Sequence, residues 1–335
     1  MSDVKNGRRD PVRGPTKRLA TVGFLLSTLF WTGSCSLEKM ALKKVAGMLS
    51  SSSSGTVFTG DNDPELVGDA LPFALKLQES ILASIPNHDG LRLGTGRLYV
   101  MYANAFVQTP ADMTPRQEIE KKEALLQRAK NLYFRGRDIL LVALERKNPA
   151  FLDQLKARQY EEALAPFGPK DIPFLYWAAV GWIGGFAADP FDMKQLTALP
   201  EAGALMERVV ELDPGYGQGA IDVFYIMYYG SLPQYMGGDL GKARAHFERA
   251  MTKAGEGDTS PLLAMATSVC VKEQKADEFK ALLGKILEVD VDDYPENRLV
   301  NTLNQRKARW LLEHIDDYFL IIEQRPGALA KEGLS

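Results

Sequence analysis

The residues that most often carry chemistry are scarce in this chain. There are three histidines, His88, His246 and His314, and two cysteines, Cys35 and Cys270. No histidine has a second one at ligand spacing. Two cysteines cannot build a Cys-x-x-Cys pair or a Cys/His metal centre once Cys35 is otherwise used. The glycine-rich stretch "GLRLGTG" (90–96) is not followed by the Lys-Ser/Thr pair of a phosphate loop, and no Gly-x-Ser-x-Gly elbow is present. Asp290, Asp292 and Asp293 lack the central glycine and closing glutamate of a calcium loop. Cys270, in "AMATSVCV", reads as a small core residue. The carboxylates Glu313, Asp316 and Asp317 are the one set that keeps an enzyme open as a reading. The reading preferred is a protein that is not an enzyme, with no cofactor and no metal.

Cys35 is different because of what precedes it. Thirteen mostly apolar residues, Leu19 to Trp31, follow a leader that carries six basic and two acidic side chains. The run is too short to span a bilayer but fits the apolar core of a secretory signal. Thr32, Gly33 and Ser34 are small residues of the kind a signal peptidase accepts, and "TGSC" is lipobox-like, with Thr32 where Leu is usual. Residues 1–34 are therefore expected to be a removed signal peptide. Cys35 is expected to take lipid and anchor the mature chain to a membrane surface. Residues 35–60, with the serine run Ser50–Ser54, read as a tether. Without residues 1–34 the chain carries net charge −7, which argues against nucleic acid as a partner.

Two segments concentrate aromatic residues: "FLYWAAVGW", with Trp177 and Trp182, and "VFYIMYYG", with Tyr225, Tyr228 and Tyr229. Core packing is one reading. The other is an apolar pocket between helices that opens towards the inserted loops described below, with tyrosine hydroxyls as its polar groups.

The elements that must position these residues are helical. Apolar spacing near 3.6 runs through most of residues 61–335, expected to form a single domain, and no sustained period of two occurs. "ALPFALKLQESILASI" places Leu71, Ala74, Leu75, Gln78, Ile81 and Leu82 on one face. The stretch between Pro295 and Pro326 reads as one long amphipathic helix. A small–large–small pattern closed by proline recurs at Ala202, Met206, Val209 and Pro214, and at Ala74, Gln78, Ile81 and Pro86. It returns partially at Ala243, Phe247 and Ala250, at Phe279, Leu283 and Ile286, and from an ill-suited Arg137 to Pro149. These are second helices of degenerate tetratricopeptide hairpins, with Gly96, Tyr99, Trp177 and Gly181 as partial matches in first helices. The fold expected is an all-α, solenoid-like array ending in a long C-terminal helix. Three insertions, 104–117, 184–200 and 228–238, each fall between a first and a second helix and should share one edge.

The blocks "NLYFRGRDILLVALERKNPAF", "ALMERVVELDPGYGQGAIDVFY", "ARAHFERAM" and "DDYPENRLVNTLNQRKARWLLEHIDDYF", in this order and spacing, resemble the TatT family. These are lipoprotein T-components of bacterial TRAP (tripartite ATP-independent periplasmic) transporters. The resemblance implies cryptic tetratricopeptide hairpins, a lipid-anchored protein facing the periplasm, and a solute-binding P-component as partner. It also implies a homo-oligomer, in particular a trimer. An apolar or carboxylate ligand in an inter-hairpin pocket is a further expectation. The rival reading is a helical-repeat scaffold lipoprotein for envelope or outer-membrane assembly. The "NQRKAR" stretch, with Arg306, Lys307 and Arg309, reads as a solvated face.

Overall fold

The structure is a computed structural model that describes residue 2 and residues 43–47, 57–255 and 257–320. Cys35, the apolar run before it and the serine run lie outside these residues. The described residues form helices and turns, with no strand among them.

Each helix begins where local chemistry allows it. Helix α1 (Pro64–Ser84) has proline in its first turn, and the Asp63 side chain accepts a hydrogen bond from Leu66 N at 3.0 Å. Its buried stripe is Val67, Leu71, Leu75, Gln78, Ile81 and Leu82. His88 caps α2 (Asp89–Ala103), its Nδ1 accepting from Leu91 N at 3.0 Å. Helix α3 (Ile119–Lys147) is the longest. After the short α4 (Phe151–Lys156) and α5 (Tyr160–Leu164) comes α6 (Ile172–Ala188), which is apolar on nearly every side and accordingly sits between other helices. Then follow α7 (Met193–Thr197), α8 (Leu199–Leu212), α9 (Ala220–Ser231), α10 (Leu240–Ala254), α11 (Ser260–Met265), α12 (Ala276–Glu288) and α13 (Arg298–Glu313).

The long helices pack in chain order and run antiparallel. Between α2 and α3, Arg92 reaches the Ile139 carbonyl at 3.3 Å, and Arg128 reaches the Tyr102 hydroxyl at 3.4 Å. Between α3 and α6, Tyr133 lies against Gly184 and Phe134 against Gly185. Tyr228 of α9 lies against Gly203 of α8. This alternation brings the C-terminal ends of α2, α6 and α9 to one edge, and all three insertions leave from that edge. There Lys130 of α3 holds Asp189 and Asp192 at 2.9 and 2.6 Å, tying down the loop before α7. Tyr133 donates its hydroxyl proton to Gln108 in the first insertion at 2.5 Å.

One core cluster runs from α3 to α9 around Phe151, Phe167, Leu175, Ile183 and Phe224. A second joins α9 to α13 around Met265, Cys270, Phe279 and Ile286. A third unites α1, α2 and α3 and takes in Leu299 from α13. The last helix therefore touches the first. Lys307 pairs with Asp112 at 2.6 Å, Arg306 pairs with Glu65, and Arg298 donates to the Gly60 carbonyl at 3.0 Å. Beyond the helix, Asp317 pairs with Arg116 at 3.0 Å. Arg306 and Lys307, expected on a solvated face, are instead part of this closure.

Helix α13 is also shorter than its periodicity implies. It ends at Glu313 rather than running on towards Pro326, and a 3₁₀ turn follows at Ile315–Asp317. Two causes act together. His314 bonds its own helix, with Nδ1 at 2.9 Å from the Trp310 carbonyl, and stacks on Trp310. Asp316 and Asp317 bring negative charge to the C-terminal end, where the helix dipole disfavours it.

Candidate functional site

The α8–α9 turn sets up the most elaborate cluster of polar and aromatic side chains. Gly217, Gln218 and Gly219 all adopt positive φ, at +70°, +47° and +108°. That backbone path favours glycine and reverses the chain within a few residues. Helix α9 then runs back along α8, with Asp222, Tyr225 and Tyr229 on one face at spacings of three and four. Helix α10 returns antiparallel with His246, Arg249 and Lys253 at the same spacings.

The two stripes meet in register. Tyr229 lies under Lys242, with the ammonium 5.2 Å from the ring centroid. Tyr225 stacks on His246 at 4.6 Å and on Tyr229 at 5.6 Å. Asp222, its side chain only 3% exposed, accepts from Arg249 Nε at 3.1 Å and Lys253 Nζ at 2.8 Å, and sits 2.8 Å from His246 Nδ1. Burial works to raise the Asp222 carboxyl, but Lys253, His246 and Arg249 together hold it below the usual carboxylate range. At His246 the balance goes the other way for the charged form. Burial lowers its proton affinity more than Asp222 raises it, and Arg249 and Lys253 add to the lowering. The imidazole is therefore neutral at pH 7, with its proton on Nδ1 facing the ionised Asp222 and Nε2 left as an acceptor.

Beside this network lies a cavity of about 560 Å³, bounded by Glu207, Val210 and Glu211 of α8, Ile221, Asp222, Tyr225 and Tyr229 of α9, and His246, Arg249 and Lys253 of α10. Of the five aromatics singled out in the sequence, Tyr225 and Tyr229 line it. Tyr228 turns to the other side, stacking on Phe224 and reaching Gly203 with its hydroxyl; burial pushes its phenol up to about 12. Trp182 is buried under the Arg137 guanidinium, 4.7 Å from its ring, and its indole N–H has no hydrogen-bond partner among the described residues. Trp177 packs edge-on to Tyr176 between two core clusters. The tryptophans and the tyrosines thus border different spaces. Most lining residues come from the C-terminal turns of α8 and α10 and the first turns of α9, so the cavity lies towards the edge opposite the insertions. A second hollow, of about 520 Å³, lies between α1, α2 and α3; there Glu79 is already held by Arg135 at 2.6 Å.

Asp222, Arg249 and Lys253 were not singled out from sequence. A signal existed: an acidic residue in phase with Tyr225 and Tyr229 in an otherwise apolar helix, and a basic stripe at matching spacing on the next one. Other residues with chemical potential are otherwise occupied. Cys270 is fully buried, and burial pushes its thiol up to about 12. Asp317 is paired with Arg116, and Glu313 and Asp316 are exposed. Among the described residues, no three His, Cys, Asp or Glu side chains converge as metal ligands. No helix among them is long and apolar enough to cross a membrane.

The insertion edge has a different character. Phe191 and Met193 in the second insertion are 89% and 64% exposed, and Tyr235 in the third is 83% exposed. Compared with known proteins, the chain matches the family described as TRAP transporter T-component over residues 60–319. An uncharacterized protein of Treponema pallidum (strain Nichols) is 32% identical over 324 residues, which is 92% of this chain and 100% of its own length.

Proposed function

The chain belongs to the TRAP transporter T-component family, and on that premise we propose that it docks the solute-binding P-component of a TRAP uptake system at the membrane surface. It acts there as an accessory component on the periplasmic side of the envelope, held by lipid on Cys35 and built from degenerate tetratricopeptide hairpins. The observation that carries the docking reading is the exposure of Phe191, Met193 and Tyr235 on insertions that share one edge. Aromatic and Met side chains are the residues interfaces favour, and Lys130 holds the second loop in a fixed shape rather than leaving it to be ordered on binding. The cavity beside Asp222, walled by Tyr225 and Tyr229, is the site where a small ligand is held during this work.

Co-purification from the cell envelope tests the reading. The wild-type protein should bring down a solute-binding protein, identified by mass spectrometry. Phe191→Glu should lose it, whereas Phe73→Glu, on the exposed face of α1, should keep it. Equal recovery with both variants would move the interface away from the insertion edge.

A further inference from the structure

The cavity beside Asp222 has two walls of opposite charge that do not touch. Helix α8 contributes Glu207 and Glu211, and helix α10 contributes Arg249 and Lys253. Glu211 is held by Arg208 of its own helix at 2.8 Å. Glu207 makes no ion pair among the described residues. On the other wall, Asp222 engages Arg249 through Nε alone and takes the Lys253 ammonium on its second oxygen. The Arg249 Nη1 and Nη2 donors are left without a hydrogen-bond partner among the described residues. No ion pair crosses the gap, so the cavity keeps an unpaired carboxylate and an unpaired guanidinium edge apart. Stacked Tyr225 and Tyr229 lie between them.

We propose that this cavity binds a small zwitterion with an apolar or aromatic body, a ligand of the amino-acid class. The proposal rests on the reading of the cavity as a ligand pocket. A carboxylate meets the two Nη donors of Arg249 in the bidentate geometry that guanidinium favours, and Asp222 fixes the orientation of that fork through Nε. An ammonium answers Glu207, and the body of the ligand lies on the tyrosine rings. The volume falls within the range of small-molecule sites. Glu207 and Arg249 are both exposed, so water answers each charge in the free protein; a zwitterion gains a charge-assisted contact on both walls, and a ligand with a single charge gains only one.

The test uses the full-length protein. The twenty amino acids are screened for a rise in melting temperature. The best binder is then compared by calorimetry with its amine lacking the carboxylate and its acid lacking the ammonium. The amino acid should bind at least ten-fold more tightly than either. Glu207→Gln should weaken the amino acid and the amine at least ten-fold and leave the acid unchanged. Arg249→Gln should weaken the amino acid and the acid and spare the amine, with partial recovery in Arg249→Lys. If the acid or the amine binds as tightly as the amino acid, the zwitterion is excluded while the pocket stands. If none of the twenty binds, both the zwitterion and the pocket fall.

Discussion

At the scale of residues, the site turns on one buried carboxylate. Asp222 is almost inaccessible, and three side chains of the next helix converge on it. Removing it leaves two cations and an imidazole without their common acceptor. Asp222→Ala should cost about 3 kcal/mol by urea denaturation, towards the low end of a broken buried pair because Arg249 and Lys253 are half-exposed. His246 gives a pH signature. Its folded pKa is depressed, so its contribution to stability is present above the unfolded value of about 6.5 and is lost as pH falls below it towards the folded value. The melting temperature of wild type relative to His246→Asn should therefore be constant above about pH 7 and decline as pH falls below about 6.5. A constant difference over that range would contradict the assignment. Of the aromatics that the sequence singled out, Tyr225 and Tyr229 line this cavity, whereas Tyr228, Trp177 and Trp182 do not, because spacing of three and four groups residues without fixing which neighbouring helix each one faces. Asp222 was not legible in the sequence, because its partners lie 24 to 31 residues away, and local periodicity does not show which helix will face it.

At the scale of elements, close approach explains why the array packs as it does. Where α2 crosses α3, a Cβ placed on Gly136 would lie 2.7 Å from the Gly96 carbonyl oxygen, and one on Gly96 would lie 2.5 Å from Leu140. The first clash is with backbone, so no side chain can turn aside to relieve it. Gly136→Ala should destabilise the protein by about 1–3 kcal/mol, read as a lower urea midpoint with an unchanged slope. A neutral substitution would show that the helices can separate freely. Gly96 was visible in the sequence as a first-helix match, whereas its partner was placed one residue late, at Arg137. The repeat pattern fixes the presence of a small residue but tolerates a shift of one position. Arg137 in fact covers the Phe134 and Trp182 rings. The premature end of α13 was hidden for a related reason: amphipathic spacing continues through Ile315 and Phe319, while the interruption at His314 depends on side-chain bonding and charge at the helix end.

At the scale of the whole molecule, the last helix closes on the first helix and on the first insertion. Leu299 supplies a buried contact and Leu303 a partly buried one; Arg306 pairs with Glu65 of α1, and Lys307 pairs with Asp112 in the first insertion. Such pairs contribute modestly one at a time and weaken with salt. Lys307→Glu, which sets like charges against each other at Asp112, should cost about 1 kcal/mol and raise hydrogen exchange in the first insertion and α13 while leaving α6 and α9 unchanged. Uniform exchange across the chain would show that the closure is not a local joint. The all-helical character and the shared edge of the insertions were readable from periodicity and order alone. The closure was not, because it joins residues nearly two hundred or more positions apart.

The central claim is that the insertion edge docks a solute-binding P-component. The most direct measurement is a calorimetric titration of the purified protein with the solute-binding protein recovered by co-purification, repeated with the double variant Phe191→Glu, Tyr235→Glu. The account predicts saturable binding by the wild type and at least ten-fold weaker binding by the variant, with helicity and melting temperature retained. No binding by the wild type, or undiminished binding by the folded variant, would contradict it.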